Sequence, residues 1–146
     1  MSFSAEQRAL LDAPLSRSNV SKRTGGGNKQ LSYIESHHAI REANRIFGFD
    51  GWSSETVDIT CIVEKAGDMA IVAYMARVRI TVYAGERTII REGVGTGHGK
   101  DANAGQAHEK AAKEAESDAQ KRALRHFGDQ FGLALYDKDQ EHVTDA

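Results

Sequence analysis

The sequence predicts an α+β domain in which an antiparallel three-stranded β-meander packs with a long helix, a β-β-β-α core carrying short flanking helices. Three observations lead there. Between residues 52 and 94, apolar side chains recur with period two in runs separated by glycine-containing turns. From Asn103 to Phe127, alanines recur every three or four positions, as they do along one face of a helix. The chain has 146 residues, 40% of them apolar and 27% charged, which suits one folded domain with its own core.

Composition narrows the function classes. A formal net charge of -2 announces no polyanion partner, yet it leaves room for a local basic groove. The single cysteine, Cys61, rules out an internal disulfide and a clustered-cysteine zinc site, and an intracellular compartment fits. The N-terminal stretch MSFSAEQRALLDAPLSRSN lacks the charged start and apolar run of a secretory signal. No segment approaches the roughly 18 apolar residues of a membrane span, so no membrane partner is expected.

In chain order, residues 4 to 13 read as a short helix ending near Pro14, with Ala5, Leu10 and Leu11 giving it a thin apolar face. Residues 16 to 30 read as a polar linker. Arg17, Lys22, Arg23 and Lys29 gather around its glycines Gly25, Gly26 and Gly27, so it is either a flexible basic clamp on a phosphate backbone or a tether. It does not supply the GxxxxGK[ST] pattern of a nucleotide-binding loop. Tyr33 to Phe47 contains the second helix, clearest from His37, with Ala39, Ile40, Ala43, Ile46 and Phe47 packed and Arg41, Glu42 and Arg45 outward. Gly48 is its C-cap. Tyr33, just ahead, either packs or stacks on a base. The adjacent His37 and His38 do not share a helix face and read as surface or capping residues.

Trp52 opens the first strand of the meander, where Val57, Ile59, Cys61 and Val63 alternate. A turn at Lys65-Ala66-Gly67-Asp68 leads to a strand from Met69 to Tyr83. One face of this strand carries Ala70, Val72, Tyr74, Ala76, Val78, Ile80 and Val82, and the other includes Arg77, Arg79 and Thr81. The third strand runs from Arg87 to Val94. The alternating glycines Gly93, Gly95, Gly97 and Gly99 lack the dinucleotide-binding spacing and read as a bend or a close backbone contact where this strand leaves the sheet. Asp101 or Asn103 caps the long helix. Upstream charges on that helix pair as Glu109 with Lys113 and Lys110 with Glu114, whereas Lys121, Arg122 and Arg125 share a narrow, unbalanced arc near its end. Such an arc is either a solvated face favoured by the helix dipole or a site for an anion or nucleic acid. A mostly acidic segment, Asp137-Lys138-Asp139-Gln140-Glu141, follows.

Enzymatic constellations are missing from this pattern. The acids fall at turns, in helix pairs or in the tail, and His98 and His108 show no recognisable set of metal ligands. The sequence therefore predicts no catalytic residue, no cofactor and no metal.

The segments SKRTGGGNKQLSYIESHHAIREANRIFGFDGW, EGVGTG, KEAESDAQKRALRHFG and LYDKD occur in the order and with the spacing of the annealing domain of the Rad fifty-two recombination family, which this chain resembles over residues 19 to 140. The resemblance implies a homo-oligomeric ring with single-stranded DNA in a basic groove and ATP-independent annealing of complementary strands in recombination or double-strand break repair. Residues 1–18 would form a helical or flexible arm, 19–140 the DNA-binding, annealing and oligomerisation domain, and 141–146 an acidic tail. Carried over by position, Lys121, Arg122 and Arg125 match the inner groove, Arg23 a backbone-contacting arginine and Tyr33 a groove tyrosine. Lys138 matches a lysine of a second, outer site for double-stranded DNA, where His142 stands in place of a further cation common in the family. The chain ends where eukaryotic members continue into regions binding a recombinase and a single-strand-binding protein. A compact bacterial or bacteriophage member, cytoplasmic and associated with the nucleoid, is therefore expected. The competing expectations are a protein that protects DNA ends or single strands without strong annealing, and an oligomeric scaffold that binds an acidic protein.

Overall fold

Helix α1 (Ala5–Asp12) begins at a capping box: Ser4 Oγ accepts from the Gln7 amide and Gln7 Oε1 accepts from the Ser4 amide, both at 3.0 Å. It stops two residues before Pro14. The computed structural model describes residues 3–25, 27 and 29–145. Gly26 and Asn28 of the glycine run, with the extreme ends of the predicted arm and tail, lie outside the described residues. The elements that follow α1 are β1 (Leu15–Ser16), β2 (Ser21–Thr24), β3 (Gln30–Tyr33), α2 (Ser36–Phe47), β4 (Trp52–Lys65), β5 (Ala70–Ala84), β6 (Arg87–Asp101), α3 (Ala104–Leu124) and β7 (Val143–Thr144). Strands β4, β5 and β6 form a three-stranded antiparallel sheet packed against α3, the predicted β-β-β-α core.

The chain divides into two compact units. One takes the residues up to Trp52 together with Val82–Ile89 and the segment from Leu124 onward; the other takes Ser53–Thr81 and Ile90–Ala123.

In the first unit an aromatic cluster forms the centre. The Phe47 ring stacks on Phe131 with centroids 5.7 Å apart and meets Phe127 edge-on at 5.3 Å. Buried Gln130 is satisfied by donating from Nε2 to the carbonyls of Ala13 and Pro14, each at 2.8 Å. Strand β1 pairs in parallel with β7, so Val143 and Thr144, read from sequence as part of an acidic tail, form a strand. The predicted linker is largely a hairpin: β2 and β3 pair antiparallel with Arg23 opposite Leu31, and the Gly25 amide closes the turn on the Lys29 carbonyl at 2.6 Å. Polar strands of this kind show no apolar alternation, which is why composition alone suggests a tether. The same pairing takes Tyr33 out of the second helix, which starts at Ser36 and ends at the predicted cap Gly48, φ +88°. Glu42 is not outward. It is buried, and Arg45 grips it through two hydrogen bonds, Nε–Oε2 at 2.6 Å and Nη2–Oε1 at 2.8 Å.

In the second unit the even positions of β5 pack as the alternation requires: Val72, Ala76, Val78 and Ile80 are buried. On the opposite face, Arg79 of β5 bridges Glu55 of β4 at 3.3 Å and Glu92 of β6 at 2.8 Å. Strand β4 departs from expectation. It lies at the edge of the sheet order, and Ile59, Cys61 and Val63, which its alternation marks for packing, are exposed. Alternation reveals two faces but not what covers them. Strand β6 also departs, because it runs straight through its glycines to Asp101 instead of bending away. The reason lies on α3. A Cβ at Gly93, Gly95, Gly97 or Gly99 would overlap backbone atoms of the α3 alanines, from Ala119 and Ala123 at one end to Ala107 at the other. Ala107, Ala111, Ala115, Ala119 and Ala123 are at most 1% exposed. Glycine on the strand and alanine on the helix thus let two backbones touch, the close-packing half of the sequence reading. Asn103 caps α3 by accepting from the Gln106 amide at 3.1 Å.

Candidate nucleic-acid interface

The β2–β3 hairpin brings Arg23 and Tyr33 together. With Arg23 paired to Leu31, Tyr33 is its diagonal neighbour on the same face, within reach of a long side chain. The Arg23 guanidinium accordingly sits over the Tyr33 ring, 5.7 Å from its centroid. The Tyr33 hydroxyl donates to Glu35 Oε1 at 3.2 Å. Desolvation, with the Glu35 carboxylate, holds this phenol above its ordinary pKa, against an opposing pull from Arg23. Arg23 and Lys22 are exposed on β2.

Arg125 opens the 3-10 turn Arg125–Phe127 that follows α3, and its guanidinium lies 4.6 Å from the centroid of the Tyr136 ring, itself largely exposed. Two of the predicted cations are therefore braced by an aromatic ring, which fixes a planar, multi-donor group without neutralising it. Lys138 is exposed in the segment that follows Tyr136, where Asp137 folds the chain by accepting from the Asp139 and Glu141 amides. These residues, with Arg23 and Tyr33, belong to the first unit.

Lys121 and Arg122 belong to the second unit, in the last turn of α3, and both are half-buried. Arg122 is not unbalanced: Asp118 Oδ2, one turn earlier, accepts from its Nε at 3.0 Å and from the Thr96 amide at 3.2 Å. The carboxylate fixes the direction of the guanidinium and offsets part of its charge. The i,i+4 spacing of Asp118 and Arg122 is the sequence signal that reveals this pair, the same spacing that pairs Glu109 with Lys113.

Two further features escaped the sequence reading. His37 is exposed as expected, but His38 is half-buried. Its Nε2 has no hydrogen-bond partner among the described residues, and burial pushes its imidazole below the ordinary value, against a raising effect of Glu42. In the second unit, Cys61, Glu64 and His108 place one ligand atom each within 4.8 Å of the others. Only the spacing Cys-x-x-Glu hinted at this, because the histidine comes from a distant helix. Among the described residues, no helix is long and apolar enough to cross a membrane.

A family model described as "Rad52/22 family double-strand break repair protein" matches residues 4–146. The chain belongs to the Rad52/22 family. Similar proteins include the DNA repair and recombination protein RAD52 of Eremothecium gossypii, 43% identical over 135 residues that make up 90% of this chain and 30% of that protein. RAD52 of Saccharomyces cerevisiae is 40% identical over 139 residues, 93% of this chain and 29% of that protein. The rad22 protein of Schizosaccharomyces pombe is 38% identical over 144 residues, 93% and 30% respectively. The chain thus spans about a third of the length of these Rad52/22 relatives. All three come from fungi, which overturns the expected bacterial or bacteriophage source and, with it, the cytoplasmic placement at a nucleoid. That expectation rested on compactness, and length carries no information about lineage. Rad52/22 membership also agrees with the absence of a catalytic constellation from the sequence.

Proposed function

We propose that this chain binds single-stranded DNA and anneals complementary strands without nucleotide hydrolysis, in homologous recombination or double-strand break repair. The observation that carries the reading is the match to a double-strand break repair family over residues 4–146. In the proposal, Lys121, Arg122 and Arg125, assisted by Arg23 and Tyr33, hold the phosphate backbone and leave the bases turned outward for pairing, so that no sequence is read. The aromatic bracing of Arg23 and Arg125 supports it, since a guanidinium held in place loses less entropy on meeting a phosphate. A homo-oligomeric ring would repeat these contacts along one strand and multiply modest affinities. Lys138 is assigned to an outer site for double-stranded DNA.

The test compares annealing of complementary oligonucleotides by the parent chain and by R122A/R125A, with folding and oligomeric state checked, across a salt series. The proposal expects strand binding that weakens steeply with salt and annealing that is lost in the variant. Parent-like annealing by the folded variant refutes the residue assignment. Strand binding by the parent without accelerated annealing identifies a protecting protein instead, and absence of strand binding at moderate salt refutes DNA binding in favour of an acidic-protein scaffold.

A further inference from the structure

We propose that Cys61, Glu64 and His108 form a binding site for a divalent transition metal of the zinc class. Strand β4 supplies the sulfur and the carboxylate, helix α3 supplies the imidazole, and the three donor atoms converge within 4.8 Å of one another. The site is separate from the α3 cations assigned to DNA: His108 lies about 20 Å along the helix from Lys121 at 1.5 Å per residue.

The histidine is already oriented as a ligand. Its Nδ1 meets the Tyr74 hydroxyl at 2.6 Å, and the Tyr74 ring stands edge-on to the imidazole at 85° with centroids 5.6 Å apart. Metal-binding histidines are commonly fixed in this way, one ring nitrogen held by an outer partner while the other faces the ion. The other nitrogen, Nε2, points at Glu64 Oε2, 2.7 Å away. An ion entering between them would replace that hydrogen bond with two coordinate bonds, the proton shared by Nε2 and Oε2 and the Cys61 thiol proton both passing to solvent. The Glu64 side chain is 65% exposed and Cys61 is exposed as well, so both can shift toward the ion without disturbing the core. Tetrahedral bonds of about 2.0–2.3 Å set donor atoms roughly 3.3–3.8 Å apart, so the His108–Glu64 pair, now 2.7 Å apart, must open by about 0.6 Å, while any pair at the 4.8 Å limit must close by about 1 Å. Three protein ligands leave the fourth position to water.

The donor set selects the metal. Magnesium and calcium take oxygen ligands, whereas a thiolate, an imidazole and a carboxylate together suit zinc. The physical effect would be to fasten the exposed end of edge strand β4 to α3, across a stretch where the strand buries little of its own side chains.

Cobalt(II) serves as a visible substitute for zinc. The reduced, chelator-treated full chain is titrated with cobalt(II), then with zinc. The proposal expects one equivalent bound per chain, a thiolate-to-cobalt charge-transfer band, and displacement of cobalt by zinc. Cys61→Ser should abolish the band, and His108→Gln and Glu64→Gln should each weaken binding by at least ~10-fold, the smallest loss typical of disturbing a metal site. Circular dichroism confirms that each variant is folded, and Cys61→Ser at an exposed position guards against misreading a folding defect. The proposal is overturned if the folded parent takes up no stoichiometric cobalt. It is equally overturned if any of the three variants binds like the parent, which would place the metal on other histidines or acids.

Discussion

Replacing Gly97 by alanine puts the seam between β6 and α3 to a direct test. The added Cβ would lie 2.5 Å from the Ala115 amide nitrogen, 2.9 Å from Glu114 Cβ, and closer still to the Ala111 carbonyl oxygen. Two of those three neighbours are backbone, so no rotamer change relieves the overlap. To restore ordinary contact distances, α3 must retreat by about 1 Å, and a gap of that size forfeits a quarter to a half of each dispersion contact along the alanine stripe. Overpacking of a rigid site costs ~1–3 kcal/mol, and contact with backbone puts this case at the upper end. Reduced freedom of the unfolded chain returns about 0.4–1 kcal/mol. A net loss of about 2 kcal/mol is expected, read as a lower urea midpoint at fixed chain concentration with an unchanged m-value. Gly105→Ala is the control. Its Cβ meets only Asn103 Oδ1 at 3.3 Å, and alanine favours the helix by up to ~1 kcal/mol, so stability should hold or rise. A Gly97→Ala chain within about 0.5 kcal/mol of the parent, below the overpacking range, would refute the argument that backbone contact dictates these glycines.

Two further outcomes follow from the first unit. Because burial lowers the folded pKa of His38 below the ordinary 6.5, the unfolded chain takes up this proton first as pH falls. The stability contribution is therefore complete above about pH 6.5 and declines below it until folded His38 itself protonates; His38→Gln should flatten urea midpoints across that window. Arg45→Ala strips both hydrogen bonds from a Glu42 side chain that is only 9% exposed. With the partner arginine 47% exposed and solvent screening the pair, a loss of about 1–2 kcal/mol is expected, and Glu42→Gln in the same background should recover part of it in thermal unfolding.

What was legible in the sequence was whatever a single element declares about itself. The even positions of β5 announce a buried face because period two is a local signal, and Ala107 to Ala123 announce a helix stripe for the same reason. The failures occur where the cause lies on another element. The glycines of β6 read as a bend because the backbone that excludes their side chains belongs to another element, from Ala107 against Gly99 to Ala123 against Gly93. Arg23 and Tyr33 could each be marked, but their stacking depends on a hairpin register that polar strands do not advertise. Glu42 is a case of its own: its partner Arg45 lies three residues on along the same helix, but the burial that makes the pair matter is not written in that spacing. Cys61, Glu64 and His108 read as three ordinary residues because a strand and a helix must fold before they meet. Helical periodicity groups Lys121, Arg122 and Arg125 on one arc and leaves its purpose open; their assignment to a DNA groove, and that of Lys138 to an outer site, comes from the family resemblance.

The seam between β6 and α3 behaves as two rulers laid edge to edge. Glycines every second residue mark the strand at intervals of about 6.7 Å, while alanines every fourth residue mark the helix at about 6.0 Å. Each of Gly93, Gly95 and Gly97 falls between two successive alanine marks, 119/123, 115/119 and 111/115. Over the three intervals from Gly93 to Gly99 the scales drift by only about 2 Å, less than half a division. Such a vernier stays in step for four or five marks and then loses it. The usable length of the contact is thus limited by the arithmetic of the two repeats, and lengthening it by simple sequence duplication would bring glycine opposite glycine-sized gaps no longer. Sliding the helix by anything short of a full alanine interval is blocked as well, so the seam fixes position along the strand with side chains that have almost no rotamers to lose.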